Sequence, residues 1–545
     1  MMNFRAAGLT KTLLFSVLSI GFGSSFLYGF NIGVINTPQT VMGQWIRDIE
    51  CRRTSIERSP RAATTTTTSI PVLHGNSTGN ATAESANIWC RQLNEKQRQR
   101  MFKRNPKLNA IWTAVASVFC VGGLLGSLIS NPIVRKFGRK GTLLLNNGTG
   151  IIAAILLATP YFLDSFELLM IGRFVAGLNG GITSAVAPLY MTEIPPMKLR
   201  GALGGFHQFF IVFAILIAQV LGHPALLGTP TRWPYLFGFG LIPCIFQLLT
   251  LPFCPESPKH LYLGRDKEAK AAKALKHLRG SQSFQTEMEE MRETKEDTQN
   301  DKRHYSILDL FRDPFLRQVT FIAMIMTASG HASGHGTVIY YSTSVFKSAG
   351  MSSGMAVYAT IGMGALYAVS TFITAALVEK AGRRQLMLIG LGGMCILTAL
   401  LSVFMVLYEK SHATPDDVKD AENSPLGDWT PYASVACIYL HTVIYSIGPG
   451  TIPAFLVSEM FTQGPRGAAT SISLATNWLT NLLVVLAFPL IQAQIEGYTF
   501  IIFAVLLAFY FVYTYWKIPE TRGKETEQIL DELRKIVGVN KVDRA

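Results

Sequence analysis

The amino-acid sequence reads as an all-α membrane protein with twelve transmembrane helices in two six-helix halves. Three features lead there: a deficit of charge, about twelve apolar stretches, and a set of charged motifs that occurs twice. Of 545 residues, 49% are hydrophobic and only 15% charged, and the mean hydropathy is +0.28. Soluble domains carry roughly 25% charged residues, so lipid is the expected solvent. A spanning helix needs about 20 mostly apolar residues. Such stretches begin near Leu13, Ile111, Thr142, Leu168, Gly201, Trp233, Val319, Tyr358, Leu386, Ala433, Ala468 and Tyr498. The first ends in Asn31-Ile32-Gly33-Val34 without a clear cleavage site, so it reads as a retained helix rather than a signal peptide.

A net charge of +14 could point to nucleic acid. The basic residues sit mainly between apolar spans, however, which excludes that partner and leaves the bilayer. Arg135, Lys136, Arg139, Lys140, Lys198, Arg200, Lys380, Arg383, Arg384 and Arg466 fall in alternate short loops, which are therefore expected in the cytoplasm. Opposite loops carry Asp164 and Glu167, or Asp416, Asp417 and Asp420. Both termini are then cytoplasmic. Residues 37–108 are basic yet expected outside, because long loops translocate regardless of charge. That loop holds the sequons at Asn76 and Asn80, beside a Thr run at 64–68, and both asparagines are expected glycosylation sites. A third sequon, at Asn147, lies inside a span and is expected to be inert. Of seven cysteines, only Cys51 and Cys90 fall in the outer loop, where oxidation can occur, and they could be bridged or free. The other five read as packing residues.

The charged motifs repeat. Arg135-Lys136-Phe137-Gly138-Arg139-Lys140 follows the second span and Glu379-Lys380-Ala381-Gly382-Arg383-Arg384 the eighth. Glu193 precedes Arg200 by seven positions, as Glu459 precedes Arg466. Pro255-Glu256-Ser257-Pro258 closes the sixth span, and Pro519-Glu520-Thr521-Arg522-Gly523 the twelfth. Offsets of 244, 266 and 264 positions fit one duplication with unequal loops. Duplicated halves around a midplane site are a transporter architecture. No span holds a cluster of His, Cys or carboxylates suited to catalysis, so an enzyme is not expected. A Glu and an Arg at the cytoplasmic ends of adjacent spans can bridge to the Gly-Arg-Arg loops of neighbouring helices. Such a lattice would hold one end of the two halves together and release it as they rock. Plain positive-inside topology explains the arginines but not Glu193 and Glu459.

The expected organisation is an N-terminus and first span over 1–36 and an outer loop over 37–108. The rest of the first half occupies 109–258, charged linker helices 259–317, the second half 318–523, and a cytoplasmic tail 524–545.

These motifs resemble the facilitative hexose transporters, the sugar-porter branch of the major facilitator superfamily, from about Leu13 to Leu533. The residues that carry the likeness are Gly172-Arg173-Phe174, Pro188-Leu189-Tyr190-Met191-Thr192-Glu193, His207-Gln208, Tyr340-Tyr341-Ser342-Thr343-Ser344, Gly448-Pro449-Gly450, Asn477-Trp478 and Pro519-Glu520-Thr521-Arg522-Gly523. The resemblance implies the major facilitator fold and a sugar bound between the halves. Amide side chains suit the hydroxyls, since each offers donors and an acceptor without bringing charge into the membrane. By position it implies contacts from Tyr28, Gln208, Ile211, Ile215, Gln219, Tyr340, Tyr341, Tyr445, Gly450, Asn477, Trp478 and Asn481. It also implies a cytoplasmic gate of Arg139, Arg173, Glu193, Arg200, Glu256, Glu379, Arg383, Arg384, Glu459, Arg466 and Glu520. A polar residue in a span can equally be interhelical glue.

The departures bear on specificity. Where the family reads Gln-Gln-Leu-Ser-Gly-Ile-Asn, this chain has Gly330-His331-Ala332-Ser333-Gly334-His335-Gly336. Tyr367 replaces an asparagine, Ser446 an acidic residue common in glucose carriers, and Ala454 a Trp of glucose carriers. Each lost hydrogen bond is worth roughly 0.5–1.5 kcal/mol, with His331, Tyr367 and Ser446 able to offset part of the loss. Either the pocket serves a changed specificity, which is the expectation, or another sugar pose uses His331 and His335. Four apart, His331 and His335 would share one helical face. They lack a third ligand, so neither a metal nor any cofactor is expected.

Asn31 stands where proton-coupled sugar porters carry Asp, and no carboxylate lies in a span core, so passive uniport is expected. The reading is a plasma-membrane carrier of a hexose or related small polar solute, working by alternating access. The alternatives are a carrier of a non-sugar solute such as urate, or a non-transporting membrane sensor.

Overall fold

The structure, a computed structural model, describes residues 9–62, 105–280, 284–300, 305–411, 425–524 and 526–538. Among the described residues there are no strands, and nine helical stretches are long and apolar enough to cross a membrane. Two of these are double. Pro106–Ala158 turns at Gly138, whose φ is 80°, and Gly464–Lys517 turns through Glu496–Tyr498. One further span is broken into Pro314–Ala332 and His335–Ser348. Twelve spans result, six on each side of the charged linker, as the sequence predicts.

Most helices begin a few residues before the apolar stretches do. The reason is capping: an unpaired N–H at a helix start needs an acceptor, and the nearest side-chain oxygen lies outside the apolar run. Asn105 accepts from Leu108 N at 3.2 Å, Ser165 from Leu168 N at 3.3 Å, Asp313 from Phe315 N and Leu316 N at 2.9 and 3.0 Å. Those caps set starts at Pro106, Phe166 and Pro314 rather than Ile111, Leu168 and Val319.

The segment expected as a loop from residue 37 opens instead with a helix, Gln39–Ala62. Met42, Trp45, Ile46 and Ile49 bury one stripe at helical spacing. Arg52 pairs with Asp164 and Arg53 with Glu167, which lay this helix on the loop before the fourth span. Asn76, Asn80 and Cys90 lie outside the described residues. Cys51 is disulfide-bonded. The other five cysteines are free, four of them buried, and Asn147 is buried in the third span.

In the linker, Glu268–Arg279, Gln285–Asn300 and Ile307–Arg312 are helical. Arg279 is buried, donates to Ile194 O at 2.9 Å and forks onto Glu287 at 2.7 Å. That guanidinium anchors the linker to the first half. The tail helix Thr526–Val537 buries Ile529, Leu530 and Leu533, and Arg534 sits 5.2 Å over the Phe315 ring at the start of the seventh span.

The halves meet along the second and eleventh spans and along the fifth and eighth. At the end away from the charged motifs they are also tied by hydrogen bonds. Asn36 donates to Ile339 O at 2.7 Å and meets Ser342, and Thr343 N donates back to Asn36 at 3.3 Å. Ser344 donates to Gln39 and Lys347 to Thr40, each at 3.1 Å.

Candidate functional site

Two clusters stand out, one in the membrane interior between the halves and one of charges at the motif end. The interior cluster is built from polar and aromatic side chains on spans 5, 7, 8, 10 and 11. Gln208, on the fifth span Met197–Leu221, donates to Tyr367 Oη at 3.3 Å across the gap to the eighth, Ser353–Ala381. His331 Nε2 lies 3.1 Å from Asn477 Oδ1 on the eleventh span, Gln463–Ile495. Trp478 is fully buried, donates to Ser184 at 3.3 Å and packs 5.7 Å from the Tyr28 ring. Its indole fills the space that Gly123 leaves open.

The seventh span breaks at Ser333–Gly334, with Gly334 at φ 82°, a left-handed conformation that glycine adopts without steric cost. This corrects the expectation that His331 and His335 share a helical face. They sit on separate helical segments with different surroundings. His335 stacks on Tyr445 with centroids 3.6 Å apart and planes at 16°, and its two ring nitrogens are buried without a partner among the described residues. His441, one turn before Tyr445, flanks His335 at 5.9 Å. Gly336 leaves room for Asn481 and His331, each 3.3–3.4 Å from where a Cβ would stand.

The other expected contacts are distributed unevenly. Ile211 and Ile215 are buried on the fifth span. Gln219 is buried nearer the tied end, its side-chain amide without a partner among the described residues and pressed against Gly364, while its backbone carbonyl accepts from Thr37. Tyr340 lies among Tyr28, Cys120, Arg173 and Asn481. Tyr341 instead donates to Val485 O at 3.3 Å and stacks on Phe488. Ser446 donates to Val443 O at 2.8 Å and stands 3.5 Å from Thr374, so its hydroxyl serves helix packing. Gly450 lies in a break within the tenth span, between Pro425–Ile447 and Ile452–Glu459, behind the Tyr445 ring, and Ala454 is exposed.

At the motif end each half carries its own charge cluster. In the first, Arg139 forks onto Glu193 at 2.7 and 2.8 Å, and Ser257 donates to the same carboxylate at 2.5 Å. Arg139 Nη1 also meets His260 Nδ1 at 2.6 Å. Burial, then the neighbouring Arg139 and Arg265 charges, lower the His260 pKa to about 4, so the ring is neutral and accepts this bond. Glu256 caps the third span, accepting from the N–H groups of Arg139 and Lys140 at 3.0 and 3.2 Å. A carboxylate is favourable there because the helix start is electropositive.

The second half repeats this plan, with fewer bonds among the described residues. Glu520 accepts from Arg383 N and Arg384 N at 2.9 and 3.2 Å, and Arg383 reaches Glu459 at 3.2 Å. Arg384 donates to Tyr515 O, and Arg466 turns to Phe461 O. The side chain of Glu379 lies outside the described residues. Arg200 Nε and Glu459 Oε2 are buried at this end, on opposite halves, without a partner among the described residues.

Arg173, expected at this gate, is not there. It stands twenty residues before Glu193 on one helix, about 30 Å away at 1.5 Å per residue. It is fully buried, donates to Asn31 O at 2.6 Å and lies 4.4 Å over Phe119. Ser257, His260, His441 and Ser184 join the clusters without having been singled out in the sequence. Ser257 directly follows Glu256 in a motif already recognised, His260 lies two residues beyond that motif, and His441 sits one turn from Tyr445. Ser184 carries no local signal.

Comparison with known proteins places this geometry. Residues 17–533 match the family model described as sugar (and other) transporter. The facilitated glucose transporter member 1 of Gallus gallus is 37% identical over 427 residues, 78% of this chain and 83% of that protein. Member 4 of Homo sapiens is 36% identical over 521 residues, 96% of this chain and 90% of that protein. Among solved structures, the proton:xylose symporter XylE bound to 6-bromo-6-deoxy-D-glucose superposes with a TM-score of 0.69 at 21% identity. That match covers 96% of this chain and 98% of XylE. The last likeness speaks to the fold, which is that of the major facilitator superfamily. With its twelve spans, its duplicated charge motifs and a family match across nearly its whole length, this chain belongs to the sugar (and other) transporter family.

Proposed function

We propose that the protein is a facilitative carrier, a uniporter, of a hexose or closely related small polar solute, working by alternating access. The observation that carries this is the polar and aromatic cluster in the membrane interior where the two halves face each other. It supports a solute held by side chains of both halves, with Gln208, His331 and Asn477 serving hydroxyls and Tyr28, Tyr445 and Trp478 the ring. Related proteins named as facilitated glucose transporters support a sugar over urate, and a cycling charge lattice favours transport over sensing.

In this reading the motif end faces the cytoplasm, with both termini, and the plasma membrane is the site of action. Asn76 and Asn80 carry glycans on the outer side. Bonds between the halves at the far end, and charge clusters confined within each half at the motif end, support an inward-facing state. Glu459, which Arg383 holds through one oxygen, can then take Arg200 on the other when that end closes. Neutralising Glu459 without changing transport kinetics would sink the gate. Among the described residues the carboxylates of the spanning helices lie near helix ends, and Asn31, held by Leu27 O, cannot titrate, which supports uniport. A proton current accompanying solute uptake would overturn it.

The primary test is uptake of labelled D-glucose into proteoliposomes, with L-glucose uptake subtracted. Saturable stereospecific uptake is expected. His331→Ala should weaken affinity several-fold, and an unchanged affinity would remove His331 from the site. No uptake of any hexose by folded protein would send the search to polyols and urate.

A further inference from the structure

Among the described residues, two N–H···O hydrogen bonds join the halves in the membrane interior. One, from Trp478 to Ser184, belongs to a tightly packed indole. The other, from Gln208 to Tyr367, lies inside the proposed solute site. The Tyr367 ring packs against two rings of its own half, edge-on to His335 at 5.1 Å and to Tyr445 at 6.2 Å. The stacked pair of His335 and Tyr445 makes that brace rigid. A phenol oxygen is therefore held where the opposite half presents an amide donor. The other polar groups here that find partners stay within the second half, as His331 does with Asn477 and Ser446 with Val443 O.

We propose that Tyr367 is a specificity-determining residue that competes with the solute for Gln208. In the empty carrier the phenol oxygen takes the place of a solute hydroxyl on the Gln208 amide. A solute must displace it, so affinity falls by the worth of one exchanged hydrogen bond, about 2- to 10-fold. A hydroxyl-rich solute that engages Gln208 through a stronger or bidentate contact overcomes the competition, whereas one offering a single weak hydroxyl does not. This rests on the carrier reading above.

The test measures the KM for D-glucose and D-fructose uptake by wild-type, Tyr367→Phe, Gln208→Leu and doubly substituted protein in proteoliposomes. Tyr367→Phe keeps the braced ring and removes only the oxygen, so its KM should fall about 2- to 10-fold with turnover retained. In the Gln208→Leu background the same substitution should have no effect. A raised or unchanged KM in Tyr367→Phe would overturn the proposal, the former making Tyr367 a direct solute ligand. An equal fall of KM in both backgrounds would also overturn it. Absence of uptake by the wild-type protein would instead overturn the carrier reading, which keeps the two failures distinct.

Discussion

The two charge clusters at the motif end arise from one duplicated design, yet the first half builds it more fully. Arg139 and Glu193 form a fork of two bonds, with Ser257 on the carboxylate and His260 on the guanidinium. Arg383 and Glu459 share one 3.2 Å contact, and one Glu459 oxygen has no partner among the described residues. The common element is the carboxylate that caps a helix start, Glu256 or Glu520, beneath a glycine with positive φ. What differs, among the described residues, is the number of neutral partners around the ion pair. In a partly buried site such partners decide whether charge pairing stabilises, because they offset desolvation. The first cluster therefore reads as a permanent brace and the second as the weaker partner.

That comparison breaks most directly at the carboxylates. Glu193→Gln removes the charge from a fork and a third bond, and should lower stability by about 2–3 kcal/mol. Glu459→Gln should cost about 1 kcal/mol or less. Thermal unfolding of the two purified variants against wild type measures the gap, and equal losses would erase the asymmetry. The glycines come next. A Cβ on Gly138 would run into Glu256 Oε2, and one on Gly382 would stand 2.7 Å from Glu520 Oε2, at φ of 80° and 87°. Alanine at either position, read in the same unfolding assay, should cost about 1–3 kcal/mol for the backbone alone, because this positive-φ, extended-ψ conformation is essentially restricted to glycine. The cap geometry is shared, so here the halves should respond alike.

The smallest effect is a pH dependence confined to the first half. His260 has a pKa of about 4 in the folded protein and an ordinary value once released. The released state then binds the extra proton, so stability is intact above about pH 6.5 and falls as pH drops from there towards 4. Wild-type protein should lose more stability between pH 7 and pH 5 than His260→Gln. Identical pH profiles would show that the ring does not belong to the brace.

Much of the fold was legible because it rests on local chemistry. Apolar length marks spans, alternate basic loops mark their ends, and repeated motifs mark the duplication. Arg139, Glu193 and Glu256 could be grouped because each closes a span on the same side. The gate reading of Arg173 ignored helix length, since twenty residues carry a side chain across most of a bilayer. The break at Ser333–Gly334 was equally hard to see. Glycine permits a left-handed turn but does not demand one, and spacing of four suggested a continuous face. The helix from Gln39 has a visible apolar stripe at Met42, Trp45, Ile46 and Ile49, masked by the polar composition around it.

By itself the sequence determined what depends on neighbours in the chain: twelve spans, two related halves, charge gathered at one end and a polar residue set without a titratable carboxylate midway. Tertiary structure alone decided which of those polar groups meet. Gln208 and Tyr367 are 159 residues apart, and Arg139 and His260 are 121 apart. Such pairs depend on how each helix is rotated about its axis and on where one half sits against the other. Local periodicity carries no information about either, because packing of the whole bundle sets both.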